Sequence, residues 1–107
     1  MRYSKFFALV TLLFSPITFA DSDSEDITIK NIATGWGREA IYISPNENVT
    51  LKEGCSQRLY AIGASNPWVD KMLSIALSAQ QTESKVRFRL SGCLGSRMNV
   101  KAITIMK

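Results

Sequence analysis

Histidine is absent from this chain of 107 residues, and cysteine occurs only twice. Without histidine, the chain lacks the commonest general base, the commonest metal ligand and every histidine-activated nucleophile. The sequence also contains no G-x-S-x-G or S-x-x-K motif and no phosphate-binding P-loop. We therefore expect a protein that is not an enzyme, that binds a partner, and that needs no metal ion or other cofactor.

A long apolar run is also missing. The apolar stretch near the N-terminus, residues 6–14, is much shorter than the roughly 20 residues that cross a bilayer. It follows Arg2 and Lys5 and precedes Ala20, which is the pattern of a cleaved export signal. We expect residues 1–20 to be a signal peptide, the mature protein to be periplasmic or secreted, and no stable membrane insertion.

Charge is unevenly distributed along the remaining chain. The net charge of +4 falls by two when Arg2 and Lys5 leave with the signal. Acids and serines crowd residues 21–26, which is a composition typical of a flexible tail. The segment from Lys85 to Lys107 has six basic residues and no acid, so it is either a solvated strand face or a surface for an anionic partner. The low net charge argues against nucleic acid as this partner.

The two cysteines, Cys55 and Cys93, both lie in the expected mature chain. In an oxidising compartment a single pair has one possible connectivity, whereas a metal site or redox site would need further ligands or a C-x-x-C motif. We predict a disulfide between them. Closing this loop would stabilise the fold by about 4 kcal/mol, through the lowered entropy of the unfolded chain.

Apolar and polar residues alternate in several segments, which predicts a mainly β domain over residues 27–107. We predict strands at 26–33, 38–44, 59–62, 85–90 and 100–106, an extended segment at 49–52 and a loop at 91–96. In the fourth strand, Val86, Phe88 and Leu90 face the core. In the last strand, Ile103 and Ile105 point inward, and Lys101 either shares their side or is displaced by a bulge.

One helix is predicted after the third strand. Ser65 or Asn66 can cap it, Pro67 suits its first position, and Asp70 complements its dipole. Its apolar stripe has helical spacing and contains Met72, Ile75, Ala76 and Ala79. We expect this stripe to pack in the core and Trp68 to anchor the start of the helix there.

The resulting order β-β-β-α-β-β is that of the OB-fold, a five-stranded Greek-key barrel with one helix. The alternative is an open antiparallel sheet with a helix across one face. Both arrangements bury the same residues, and both form a single domain.

The candidate ligand-binding residues follow from the way OB barrels bind, through strands two and three and the adjacent loops. Trp36, beside Arg38 in a glycine-flanked turn, either stacks on a sugar ring or folds back over the barrel. Tyr42 lies on the second strand and is either core or binding face. Arg87 and Arg89 suit a carboxylate or phosphate, or form a solvated edge.

The helix 72–79, the basic strand 85–88 and the segment Gly92–Cys93, with Cys55 upstream, resemble the B subunits of subtilase-cytotoxin-like and pertussis-like AB5 toxins. The resemblance covers residues 42–93, lacks that family's second cysteine pair and assigns no binding residue. It implies an OB-fold, a homo-pentamer and binding of sialoglycans. The expected function is an exported glycan-binding module, and the alternative is a periplasmic domain that binds an envelope protein, as an inhibitor or assembly accessory.

Overall fold

A computed structural model describes residues 21–35 and 39–106, so the expected signal peptide lies outside the described residues. The described chain contains six strands and one helix. These are β1 (Ser22–Asp23), β2 (Ile29–Thr34), β3 (Ala40–Pro45), β4 (Tyr60–Gly63), α1 (Val69–Thr82), β5 (Lys85–Leu94) and β6 (Arg97–Met106). The prediction of a mainly β protein with one helix is confirmed.

All six strands form one sheet in the order β1-β5-β6-β4-β3-β2. Neighbouring strands are antiparallel, except that β4 and β6 are parallel. In the part of the chain that the structure describes, the end strands β1 and β2 do not pair with each other, so the sheet is open. The five-stranded OB barrel is therefore not confirmed. To close a barrel, the strand at the other end of the sheet would have to pair with the outer edge of β5, but β1 already occupies that edge.

One face of the sheet carries the main core. Val86, Phe88 and Leu90 are fully buried there, as their alternation predicts. The helix crosses this face and buries Met72 and Ala76, together with Ala79. Fully burying a large apolar side chain contributes about 1.5–3 kcal/mol, so this face is the main source of stability.

Trp68 departs from its predicted place in the core. The helix begins at Val69, and Trp68 is the residue before it, with a non-helical backbone and 57% of its surface exposed. Its backbone amide donates to the side chain of Asn66 at 2.9 Å, and the Lys71 amine lies 4.9 Å from its ring centre. Because the chain is still turning at this position, the indole is not carried onto the buried stripe of Met72 and Ala76.

The disulfide between Cys55 and Cys93 is confirmed. The segment 91–96 is not the predicted loop, because β5 continues to Leu94 and pairs there with Arg97. The chain reverses direction between β5 and β6 in a two-residue turn. Gly95 has a φ of 65° there, a backbone conformation that residues with a side chain rarely adopt.

The last strand resolves the alternatives for Lys101. Arg89 pairs with Ala102 and Leu90 pairs with Val100, so Lys101 lies in a bulge without a cross-strand partner. Ile103 and Ile105 pair with the buried Phe88 and Val86 and therefore lie on the core side of the sheet, as predicted, although 41% of the surface of Ile105 stays exposed.

The acidic segment 21–26, predicted to be a flexible tail, lies along β5 in the structure. Ser22 pairs with Leu90 and Asp23 with Arg89 to form β1. Each residue of the segment has a side-chain partner, and the partners of residues 21 to 26 are Lys101, Glu53, Arg89, Phe88, Thr50 and Arg87. The acids that suggest solvation therefore hold the segment to the basic strands and to the loop before Cys55.

Candidate functional site

The second face of the sheet, opposite α1, is largely polar. Its small apolar cluster contains Ala40, Tyr42 and Ala61 from β3 and β4, packed against Ala33 and Leu94. Tyr42 is 7% exposed, and its neighbours Ile41 and Ile43 belong to the other core. Because successive side chains of a strand point to opposite faces, Tyr42 lies on the second face, where it is largely buried in this small cluster.

The guanidinium of Arg97 lies over the ring of Tyr42, with its central carbon 4.3 Å from the ring centre. This cation–π contact contributes about 0.5–2 kcal/mol and holds a long side chain in one position. The Nε atom of Arg97 is buried and has no hydrogen-bond partner among the residues of 21–35 and 39–106. A buried donor without a partner is costly, which makes this guanidinium a position where an added acceptor would be stabilising.

A hollow of about 420 Å³ adjoins this guanidinium. Arg97 and Tyr42 line it, and so do Asn31 and Ser44, which are direct cross-strand neighbours on β2 and β3. The hollow thus combines a fixed cation, an aromatic ring, an amide and a hydroxyl. A guanidinium binds carboxylates and phosphates through paired N–H donors, whereas amides and hydroxyls bond to sugar hydroxyls.

The predicted site residues Arg87 and Arg89 are exposed and already have carboxylate partners. Arg87 Nε lies 2.9 Å from Asp26, and Arg89 Nη1 lies 3.1 Å from Asp23. The hydrogen bond that Arg87 donates to the Asp26 carboxylate raises the pKa of Arg87 above its ordinary value. A ligand acid at either arginine would have to displace a neighbouring carboxylate of the same chain.

Lys101 also has an aspartate partner from the N-terminal segment. Its amine donates to Asp21 at 2.8 Å, and this hydrogen bond lowers the pKa of the Asp21 carboxyl. Among the β5 and β6 cations, three are thus matched with the three aspartates of the N-terminal segment. Arg97 differs, since it makes no ion pair with any residue that the structure describes.

Two predicted residues, Trp36 and Arg38, lie outside the described residues, and their role stays a prediction. The structure brings Tyr42 together with Arg97, Asn31 and Ser44, which sequence reasoning missed as site residues. A signal was present for Ser44, because it stands two residues after Tyr42 on one strand. No local pattern indicates Arg97 or Asn31, because their neighbours in the hollow come from distant segments.

Comparisons with known proteins give no match: neither a family model, nor a curated protein, nor a solved structure is similar to this chain. Within the described ranges, no helix is both long and apolar enough to span a membrane, and no group of three or more acidic or cysteine side chains could hold a metal ion. The disulfide is characteristic of an oxidising environment outside the cytoplasm.

Proposed function

We propose that this protein is an exported, non-enzymatic binding module, periplasmic or secreted, which binds acidic glycans in the hollow beside Arg97. The observation that carries the proposal is the Arg97 guanidinium, held on the Tyr42 ring with a buried Nε that has no partner among the described residues. A carboxylate of an acidic sugar supplies the missing acceptor. Asn31 and Ser44 lie where hydroxyls of the same sugar can reach them.

The acid in the ligand matters because Arg87, Arg89 and Lys101 are already paired with aspartates, whereas Arg97 makes no ion pair with any described residue. A neutral sugar would leave the Arg97 charge and its Nε unmatched in a half-buried place. We therefore expect discrimination between acidic and neutral glycans. A bidentate arginine contact supplies geometry as well as charge, so lysine is a poor substitute at this position.

A glycan array followed by titration calorimetry tests this proposal. The probes are oligosaccharides that end in N-acetylneuraminic acid and the same oligosaccharides ending in galactose. We expect the exported protein to prefer the acidic set, and Arg97→Lys and Arg97→Gln to weaken its affinity by about tenfold or more. Arg58→Gln is the matched control, because Arg58 is an exposed arginine outside the hollow. Equal binding of both sets, or equal effects at positions 97 and 58, would refute the proposal.

The resemblance to AB5 toxin B subunits adds a further part to the proposal, which is assembly as a ring of five copies. Sedimentation velocity of the exported protein tests it without any ligand. A pentamer supports a toxin-like subunit, whereas a monomer assigns the glycan-binding hollow to a stand-alone module.

A further inference from the structure

The backbone of β6 has an open side, which follows from the hydrogen bonds of its neighbour β5. The amide of Val86 donates to Ile27 at 2.8 Å, and the Phe88 carbonyl accepts from Ser24 at 2.8 Å. The peptide groups of Val86 and Phe88 therefore point away from β6. Since such groups alternate along an antiparallel strand, those of residues 85, 87 and 89 point toward β6.

The partners of residues 85, 87 and 89 in β6 are Met106, Thr104 and Ala102. Ile103 and Ile105 consequently direct their N–H and C=O groups to the other side of β6. On that side β4 pairs with Met98 and Asn99 only. Within the described ranges, no group hydrogen-bonds to the backbone of Ile103 or Ile105 on this side, so β6 presents an unpaired edge.

This open edge lies in a groove rather than at the rim of the sheet. Beyond Gly63 the chain leaves β4 and enters α1, and Trp68 stands at this corner. Hollows of about 660 Å³ and 370 Å³ adjoin the indole, and Trp68, Lys101 and Ala102 line both of them. The smaller hollow is mostly apolar, and its apolar lining side chains include Met72, Ile75 and Ile103.

We propose that an extended segment of a partner protein binds here as an added strand along Ile103 and Ile105. The unpaired peptide groups require an extended backbone, and the hollows beside Trp68 accept the apolar side chains of alternate residues. Lys71 makes no ion pair with any described residue and lies 4.9 Å from the Trp68 ring centre, so the segment carries a carboxylate near this corner.

A single strand fits the groove better than a second copy of this chain does. The edge is flanked on one face by α1, and the turn that carries Asn66 reaches it, because the Asn66 amide donates to the Lys101 carbonyl at 3.4 Å. A folded sheet would bring its own covering layer against Trp68 and α1, whereas one extended chain occupies only the width of a strand.

Amide hydrogen exchange measured by NMR tests the backbone pairing. The probe is an acetylated peptide in which isoleucine alternates with threonine and which ends in glutamate, and its control is the same peptide with proline at the central position. We expect the alternating peptide, at up to about 1 mM, to slow exchange at Ile103 and Ile105 and to shift the Trp68 indole resonance. The amides of Ala102 and Thr104 are already paired with β5 and should change little. The proline peptide should have no effect, because it lacks a donor and resists strand pairing.

Two exposed apolar residues give a matched pair of variants. Trp68→Ala should weaken peptide binding by about tenfold or more, as for an aromatic residue at the centre of an interface. Leu77→Ala should change it less than twofold, because Leu77 is 43% exposed on α1 but lines neither hollow. Arg97→Gln should also leave peptide binding unchanged, which separates this surface from the glycan-binding hollow.

Three results would overturn the proposal. The first is unchanged exchange at Ile103 and Ile105 with the alternating peptide. The second is protection of these amides that rises with protein concentration in the absence of peptide, because the edge then belongs to a second copy of the chain. The third is an equal loss of affinity in Trp68→Ala and Leu77→Ala.

Discussion

The hydroxyl of Ser24 accepts a hydrogen bond from the backbone amide of Phe88 at 2.8 Å, and the amide of Ser24 donates to the Phe88 carbonyl at 2.8 Å. Both residues are buried. Ser24, one residue of the acidic segment, thus satisfies both the N–H and the C=O group of Phe88 on the side of β5 that faces away from β6. This contact explains why a segment with the composition of a solvated tail is part of the sheet.

Ser24→Ala should lower the free energy of unfolding by about 1–3 kcal/mol, because the buried Phe88 amide loses its acceptor. Urea denaturation followed by circular dichroism measures the change. Ser78→Ala, on the exposed side of α1, is the control and should stay within about 0.5 kcal/mol of the unsubstituted protein. Equal stabilities for the two variants would contradict this account of Ser24.

The ion pair between Asp26 and Arg87 should give a small coupling that depends on salt. A double-mutant cycle of Asp26→Asn and Arg87→Gln measures it, and we expect the coupling to diminish as ionic strength rises, because both side chains are exposed. Glu39→Gln has the same change of charge and is the control, since no described cation pairs with its carboxylate. A coupling that is insensitive to salt would disagree with this prediction.

Removing the disulfide should cost much of the stability. We expect Cys55→Ala combined with Cys93→Ala to lower the free energy of unfolding by up to about 4 kcal/mol. A reducing agent should bring the unsubstituted protein close to the level of this variant and leave the variant itself unchanged. A reductant effect on the variant would show that the loss has another source.

Alkaline pH should destabilise the fold through Tyr60. Burial, with a smaller contribution from the charges of Glu25 and Glu47, raises the pKa of Tyr60 from 10.0 to about 12. The unfolded chain loses this proton more readily, so the stabilising contribution is complete below pH 10 and is lost as the pH rises toward 12. The difference corresponds to at most about 3 kcal/mol.

Tyr60→Phe isolates this contribution, because the variant has no phenol to ionise in the core. We expect the unsubstituted protein to lose more stability than Tyr60→Phe between about pH 9 and 11, measured by urea denaturation. Parallel losses in the two proteins would assign the alkaline transition to the lysines.

The local sequence pattern was sufficient to predict those features that depend on a single strand or helix. The alternation around Val86, Phe88 and Leu90 identifies a half-buried strand, and the spacing of Met72, Ala76 and Ala79 identifies the buried stripe of the helix. The pairing of Cys55 with Cys93 follows because there is no other cysteine. The first two predictions rest on the spacing of apolar residues along one element, and the third has only one possible pairing.

The sequence alone therefore determined the class of the fold, the buried residues of β5 and α1, and the disulfide. Only the tertiary structure decided that β1 lies beside β5, that Arg97 lies on Tyr42 rather than on a carboxylate, and that Trp68 stands outside the core. The physical reason is that these are contacts between distant segments, whose energies depend on strand order and register. Each strand can satisfy its own periodicity in several orders, and the order in the structure is the one that brings Asp21, Asp23 and Asp26 to Lys101, Arg89 and Arg87.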